Sequence, residues 1–127
     1  MKIYTSYFAK AGALAKKGIV PISIARWTPR WYEGERVLDA APTPDMLKDD
    51  ITREQYIERY NTILRRLDVK RFVEKLQAIG KGKNVALLCY EKPEDFCHRH
   101  LLAEHMNKLG YEVTEWEEKK PEQMSLF

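Results

Sequence analysis

An α/β fold with a mostly parallel sheet is the architecture this sequence predicts, and three observations predict it. Strand-like and helix-like stretches alternate along the chain. One segment, Asn84–Tyr90 (Asn-Val-Ala-Leu-Leu-Cys-Tyr), is almost continuously apolar, as a parallel strand covered on both faces must be. The intervening helical stretches carry one apolar stripe each, so they suit the outer layers of a sheet-centred fold.

Taken in order, residues 1–7 are rich in Ile and Tyr and predict a first strand. Ala9–Lys17 predicts a short helix closed by Gly18. Ile19–Ala25 is β-branched and apolar, with Pro21 near its start, and predicts a second, buried strand. Residues 26–45 hold three of the six prolines and two of the three tryptophans, the composition of a long, shaped loop. Thr52-Arg-Glu-Gln55 has the capping-box pattern, and Tyr56, Tyr60, Ile63, Leu64 and Leu67 follow at helical spacing. Asp68 is placed to cap a further helix with Val69, Phe72, Val73, Leu76 and Ile79 as its inner stripe and Gly80 as its end. After the apolar strand comes a polar loop, Glu91–Asp95, with Pro93. A helix is then expected to run to Leu109, with Leu102, Met106 and Leu109 facing inward and Gly110 stopping it. Tyr111–Trp116 alternates like a last strand. The expectation is a Rossmann-like three-layer sandwich of about four strands over residues 1–116, followed by a flexible tail, 117–127.

The 127 residues are 44% hydrophobic and 32% charged, the composition of one globular domain. No apolar run approaches the roughly 20 residues that cross a bilayer. No secretion-signal pattern opens the chain. Both observations point to the cytoplasm and to no membrane partner, and the two cysteines are expected as thiols. The net charge of +3 is unevenly spread. Residues 1–36 carry Lys2, Lys10, Lys16, Lys17, Arg26, Arg30 and Arg36 against Glu33 and Glu35, whereas residues 111–127 carry five glutamates against Lys119 and Lys120. A basic front half is compatible with an anionic ligand, and equally with an unevenly charged solvated surface.

The densest chemistry lies at residues 89–99. Cys89 ends the apolar strand, Glu91 follows, and Cys97, His98 and Arg99 fall in the first turn of the next helix. The N–H groups of such a turn lack intrahelical partners and favour an anion, and Arg99 adds a guanidinium suited to a phosphate or carboxylate. A cysteine there can have its thiol pKa lowered. Cys97 is thus a candidate nucleophile, and His98 and Glu91 are candidate acid/base groups. Against this stand plainer assignments: Cys89 as a small core residue, His98 as a satisfied core or surface histidine, Glu91 as a loop residue. The Cys/His types also suit zinc, but the spacing fits no zinc pattern, so no metal is assigned. A Cys89–Cys97 redox pair is open, although seven intervening residues do not make a Cys-x-x-Cys motif. No cofactor is indicated.

Arg26 is expected at the carboxyl end of the second strand, on the same sheet edge, so that Arg26 and Arg99 could clamp one phosphate. Trp27, Trp31 and Tyr32 interleave with Arg30, and aromatic faces beside guanidinium groups suit a nucleobase and its phosphate. Otherwise these aromatics anchor the loop onto the core. Residues 123–127 read Gln123-Met124-Ser125-Leu126-Phe127. Leu126 and Phe127 can fill an apolar pocket while Gln123 makes directed hydrogen bonds, with Met124 beside them.

Two resemblances follow. Leu-Leu-Cys-Tyr-Glu-Lys-Pro-Glu-Asp-Phe-Cys-His-Arg-His resembles the signature of the bacterial and phage family called domain of unknown function 488, in which a strand ends in cysteine, a glutamate follows, and Cys-His-Arg opens a helix. Ile24-Ala25-Arg26 with Trp27-Thr28-Pro29 is similar to that family's second-strand segment. The family often has aspartate-valine before that arginine, where this chain has Ile24-Ala25, so a role resting on that acid is not carried over. The resemblance implies a compact α/β fold with Arg26, Glu91, Cys97, His98 and Arg99 at one site, and no settled reaction. Residues 123–127 resemble the bacterial sliding-clamp-binding pentapeptide, with Met124 in place of leucine. Together these point to a DNA-transaction accessory protein that binds, and in one version processes, a nucleotide or nucleic-acid phosphate while docked on the clamp. A small-molecule enzyme with a thiol or histidine catalyst and a non-catalytic adaptor are the alternatives.

Overall fold

A computed structural model describes residues 1–48, 50–90 and 98–117. The sheet has five strands: β1 (Ile3–Tyr7), β2 (Val20–Ser23), β3 (Glu35–Arg36), β4 (Val85–Cys89) and β5 (Val113–Glu115). All pair in parallel, in the order β3-β2-β4-β1-β5. The helices are α1 (Ala11–Lys16), preceded by a 3-10 turn at Phe8–Lys10, α2 (Arg53–Arg66), α3 (Val69–Gly80) and α4 (His98–Lys108).

Two apolar clusters cover the two faces. Ile22, Val85 and Leu87 pack with Tyr60 and Leu64 of α2, Phe72 and Leu76 of α3, and Leu102 and Met106 of α4. On the other face Ala86 and Leu88 pack with Leu14 of α1, Phe8, Ala25 and Tyr32. Successive residues of β4 therefore enter opposite clusters, which is why that segment is apolar without alternation. The three-layer α/β class is as expected.

Local chemistry sets the element ends. Thr52 Oγ1 accepts from Gln55 N at 3.1 Å while Gln55 Oε1 accepts from Thr52 N at 2.9 Å, a complete capping box for α2. Asp68 caps α3 by accepting from Arg71 N at 3.1 Å. Gly110, at φ 93°, supplies the left-handed turn that ends α4. The Asn107 side chain, in the last turn of α4, grips Val113 twice, through Nδ2 to the carbonyl at 2.9 Å and from the amide to Oδ1 at 2.8 Å, fixing where β5 begins.

Three expectations are corrected. The sheet has a fifth strand, because Glu35–Arg36 pairs with Ile22–Ser23 inside the segment expected to be loop; two exposed charged residues give no apolar signal. A 3-10 turn, Pro44–Leu47, also interrupts that segment and buries Met46. Leu109 does not face inward: it is 55% exposed, since α4 ends at Lys108 and the chain turns away.

Candidate functional site

β1 and β4 are hydrogen-bonded neighbours, with Tyr7 opposite Cys89 at their carboxyl ends. The helix that follows β1, α1, packs on one face of the sheet, and the helix that follows β4, α4, packs on the other. Helices that follow adjacent parallel strands onto opposite faces mark the carboxyl-end crevice where open α/β sheets receive ligands. Tyr7, Phe8, Cys89, Tyr90, His98 and Arg99 belong to this end of the sheet.

Arg99 is fully buried. Its Nε and Nη2 donate to Glu115 Oε1 and Oε2, each at 3.2 Å, and its Nη1 donates to Cys89 Sγ at 2.9 Å. Its guanidinium carbon lies 5.9 Å from the centroid of the Tyr7 ring. Thr5 Oγ1 donates to Glu115 Oε1 at 2.7 Å, steadying the carboxylate. One permanently charged side chain thus ties together α4, β4, β1 and β5. Cys89 is disulfide-bonded, which corrects the expectation of a thiol at this position.

His98 turns the other way. Its Nε2 lies 3.1 Å from the Ile24 carbonyl, which can only accept, so Nε2 carries the proton. Its ring meets the edge of Tyr60 at 5.5 Å, and the Tyr60 hydroxyl donates to Ala40 O at 2.7 Å. Burial first, and then the positive charge of Arg99, lower its pKa from 6.5 to about 4. At neutral pH the ring is uncharged, so it suits a fixed hydrogen-bonding role better than that of a proton donor.

Arg26 is half-buried, and its Nε donates to Pro42 O at 2.9 Å. Arg99's partners lie on β4, β1 and β5, whereas Arg26's lies in the loop beyond β3. Trp27 and Trp31 are 57% and 60% exposed, so they do not serve as core anchors. Tyr32 is buried instead. Its hydroxyl donates to Glu35 O at 2.7 Å, and burial pushes its pKa up to about 12. A chain of edge-to-face rings runs from Tyr90 through Phe8 and Tyr32 to Trp31, with centroid spacings of 5.0, 5.2 and 6.4 Å. Glu91, Cys97, Gln123, Met124, Leu126 and Phe127 lie outside the described residues.

The family model DUF488-N3a, described as the active DUF488-N3 subclade, matches residues 14–110. The chain belongs to the DUF488 family. No curated protein and no solved structure matches it. Among the described residues of this DUF488 protein, no helix is long and apolar enough to cross a membrane, and no group of three or more His, Cys, Asp or Glu side chains is placed to hold a metal ion.

Sequence reasoning missed Glu115, Tyr60 and Tyr90 as parts of this DUF488 site. Glu115 falls opposite Thr5 only because β5 runs beside β1, and nothing local to the sequence marks that pairing. Tyr60 sits in an ordinary helical stripe and has nothing in sequence to mark it.

Proposed function

We propose that this DUF488 protein binds a nucleotide or nucleic-acid strand across the carboxyl end of its sheet. The carboxyl-end crevice at β1 and β4 carries the proposal, because a chain of rings leads from it to exposed aromatic side chains next to Arg30 in the chain. Tyr90 is 52% exposed at the crevice itself, and the ring chain leads from it to the exposed Trp31. A base stacks on such faces with little regard to its identity. Arg30 is exposed, and Arg26 binds Pro42 O through Nε alone among the described residues, leaving its terminal nitrogens to meet phosphate oxygens. Arg99, already balanced by Glu115, is assigned to holding the crevice floor. Cys97 and Glu91 remain the candidates for any chemical step.

The test is fluorescence titration of the full chain with mononucleotides and short DNA oligonucleotides at two salt concentrations. Quenching of tryptophan emission, weakened by added salt and by Arg30→Ala with Arg26→Ala, is the expected result. Unaltered emission at every ligand concentration overturns the proposal. The sliding clamp is proposed as a partner from residues 123–127 alone. Deleting them is expected to abolish binding to purified clamp and to leave oligonucleotide binding intact; equal clamp binding without them removes the partner from the proposal.

A further inference from the structure

The amino end of the sheet gathers positive charge that the base-stacking proposal does not use. Lys2 stands one residue before β1, Lys83 two before β4 and Lys17 three before β2, and these three strands are neighbours. Asn84 draws their entries together: its Oδ1 accepts from Lys2 N at 2.8 Å, and its carbonyl accepts from Val20 N at 2.9 Å. Lys16 ends α1 and Lys81 caps α3, the helices that feed β2 and β4. All five lysines are exposed, and among the described residues none of them makes a salt bridge. Lys75 and Lys108, by contrast, each meet a carboxylate. Two carboxylates temper the charge: Glu112 lines a pocket with Lys2, and Glu117 lines one with Lys17. Lys16, Lys17 and Lys81 also answer the negative ends of their helices, but Lys2 and Lys83 precede strands and have no such duty. The backbone between the lysines is open. Gly18 and Gly82 have nothing within 4 Å of where a side chain would begin. Lys81 has a left-handed backbone, φ 49°, and is the only non-glycine residue among those described to adopt one. A lysine there keeps a charge where glycine would be less strained.

We propose that this amino-end surface holds the phosphate backbone of double-stranded nucleic acid without reading its sequence. Three neighbouring strands span about 10 Å, and a duplex presents about six negative charges over that length. Flexible ammonium groups meet phosphates as point charges and release the counterions condensed on them, which supplies affinity with no base contact. The surface lacks what other anionic partners use. Interfaces between proteins are anchored by Trp, Tyr and Arg and are depleted in lysine. Binding to a lipid surface takes apolar side chains that enter it beside the cations, and the large exposed ones at this end are, among the described residues, only Met1 and Leu109. The lysines lie at the opposite end of the parallel strands from the crevice, so this surface does not depend on the base-stacking proposal.

The experiment titrates the full chain into a fluorescently labelled DNA duplex of mixed sequence and follows anisotropy at several salt concentrations. The logarithm of the affinity is expected to fall linearly with the logarithm of salt concentration. A variant joining Lys2→Gln, Lys81→Gly and Lys83→Gln is expected to bind at least about tenfold more weakly at low salt, with a salt slope shallower by about 2.7, the share of three phosphate contacts. All three positions are exposed, and Lys81→Gly relieves the backbone, so the loss does not come from unfolding; circular dichroism checks that the fold is kept. Arg30→Ala with Trp31→Ala is expected to leave duplex affinity and slope at the wild-type values, which separates this surface from the crevice. The same titration with vesicles of phosphatidylcholine and phosphatidylserine is expected to show no binding. Absence of duplex binding at low salt, a slope unchanged in the triple variant, duplex binding lost in the Arg30 and Trp31 variant, or vesicle binding that the lysine substitutions abolish overturns the proposal.

Discussion

Arg99 and Glu115, one buried at the start of α4 and the other on the edge strand β5, meet through two parallel N–H···O contacts of 3.2 Å each. The pair is unequal. The Glu115 side chain is 23% exposed and keeps some water, whereas that of Arg99 keeps none. Removing the carboxylate therefore strands a charge, and removing the guanidinium strands a much better solvated one.

Glu115→Ala is accordingly expected to cost about 3 kcal/mol of unfolding free energy. Glu115→Gln keeps an oxygen that accepts from Arg99 and is expected to cost about 1 kcal/mol. Urea denaturation of the three proteins, compared at constant slope, measures both.

The buried imidazole of His98 makes stability depend on acid. Unfolded, this ring takes up a proton below about pH 6.5; folded, it resists until about pH 4. Its contribution is complete above the higher value and disappears as pH falls through the lower one, a difference of about 3 kcal/mol. Two-dimensional NMR should find the ring neutral at pH 5.5. The acid limb of a pH–stability curve should flatten in His98→Phe.

Tyr60→Phe removes the hydroxyl that satisfies Ala40 O and leaves that carbonyl buried. A loss of about 1–2 kcal/mol is expected, with no change in the ring contact to His98. Thermal unfolding monitored by circular dichroism measures the first, and the His98 ring shifts measure the second.

The exposed tryptophans separate stability from binding. Trp27→Ala and Trp31→Ala should each alter unfolding free energy by no more than about 0.5 kcal/mol. If a base stacks on the ring, oligonucleotide affinity falls by about 1–3 kcal/mol for that substitution. Calorimetric titration beside denaturant unfolding, on the same preparations, distinguishes the two effects.

How far the sequence disclosed the molecule depended on whether a signal was local. The capping box at Thr52, the αL stop at Gly110 and the apolar run of β4 are written in adjacent residues, and each appears in the structure at the position its pattern predicts. The two-residue strand β3 has no apolar pattern, because its role is to hydrogen-bond an edge. At the site, the importance of Arg99 was legible from its place beside a helix start. Its partner Glu115 was not, since that contact depends on β5 lying against β1, and no local pattern reports strand order. Trp27 and Trp31 illustrate the same gap: composition marks them as large aromatics but does not say whether a loop tucks them in or holds them out.

The position of β4 has one more consequence. It separates β1 from β2, so the first two strands do not pair with each other. During synthesis, some eighty residues must emerge before the central strand arrives and gives β1 a neighbour, and until then β2 has only the two-residue β3 beside it. A nascent chain halted at residue 83 therefore holds no more of the sheet than the short β2–β3 pair, and its apolar edges are exposed to chaperones or to other chains. Contacts so distant along the chain make for slow folding, and β1 and β2 join one sheet only with the strand that ends in Cys89.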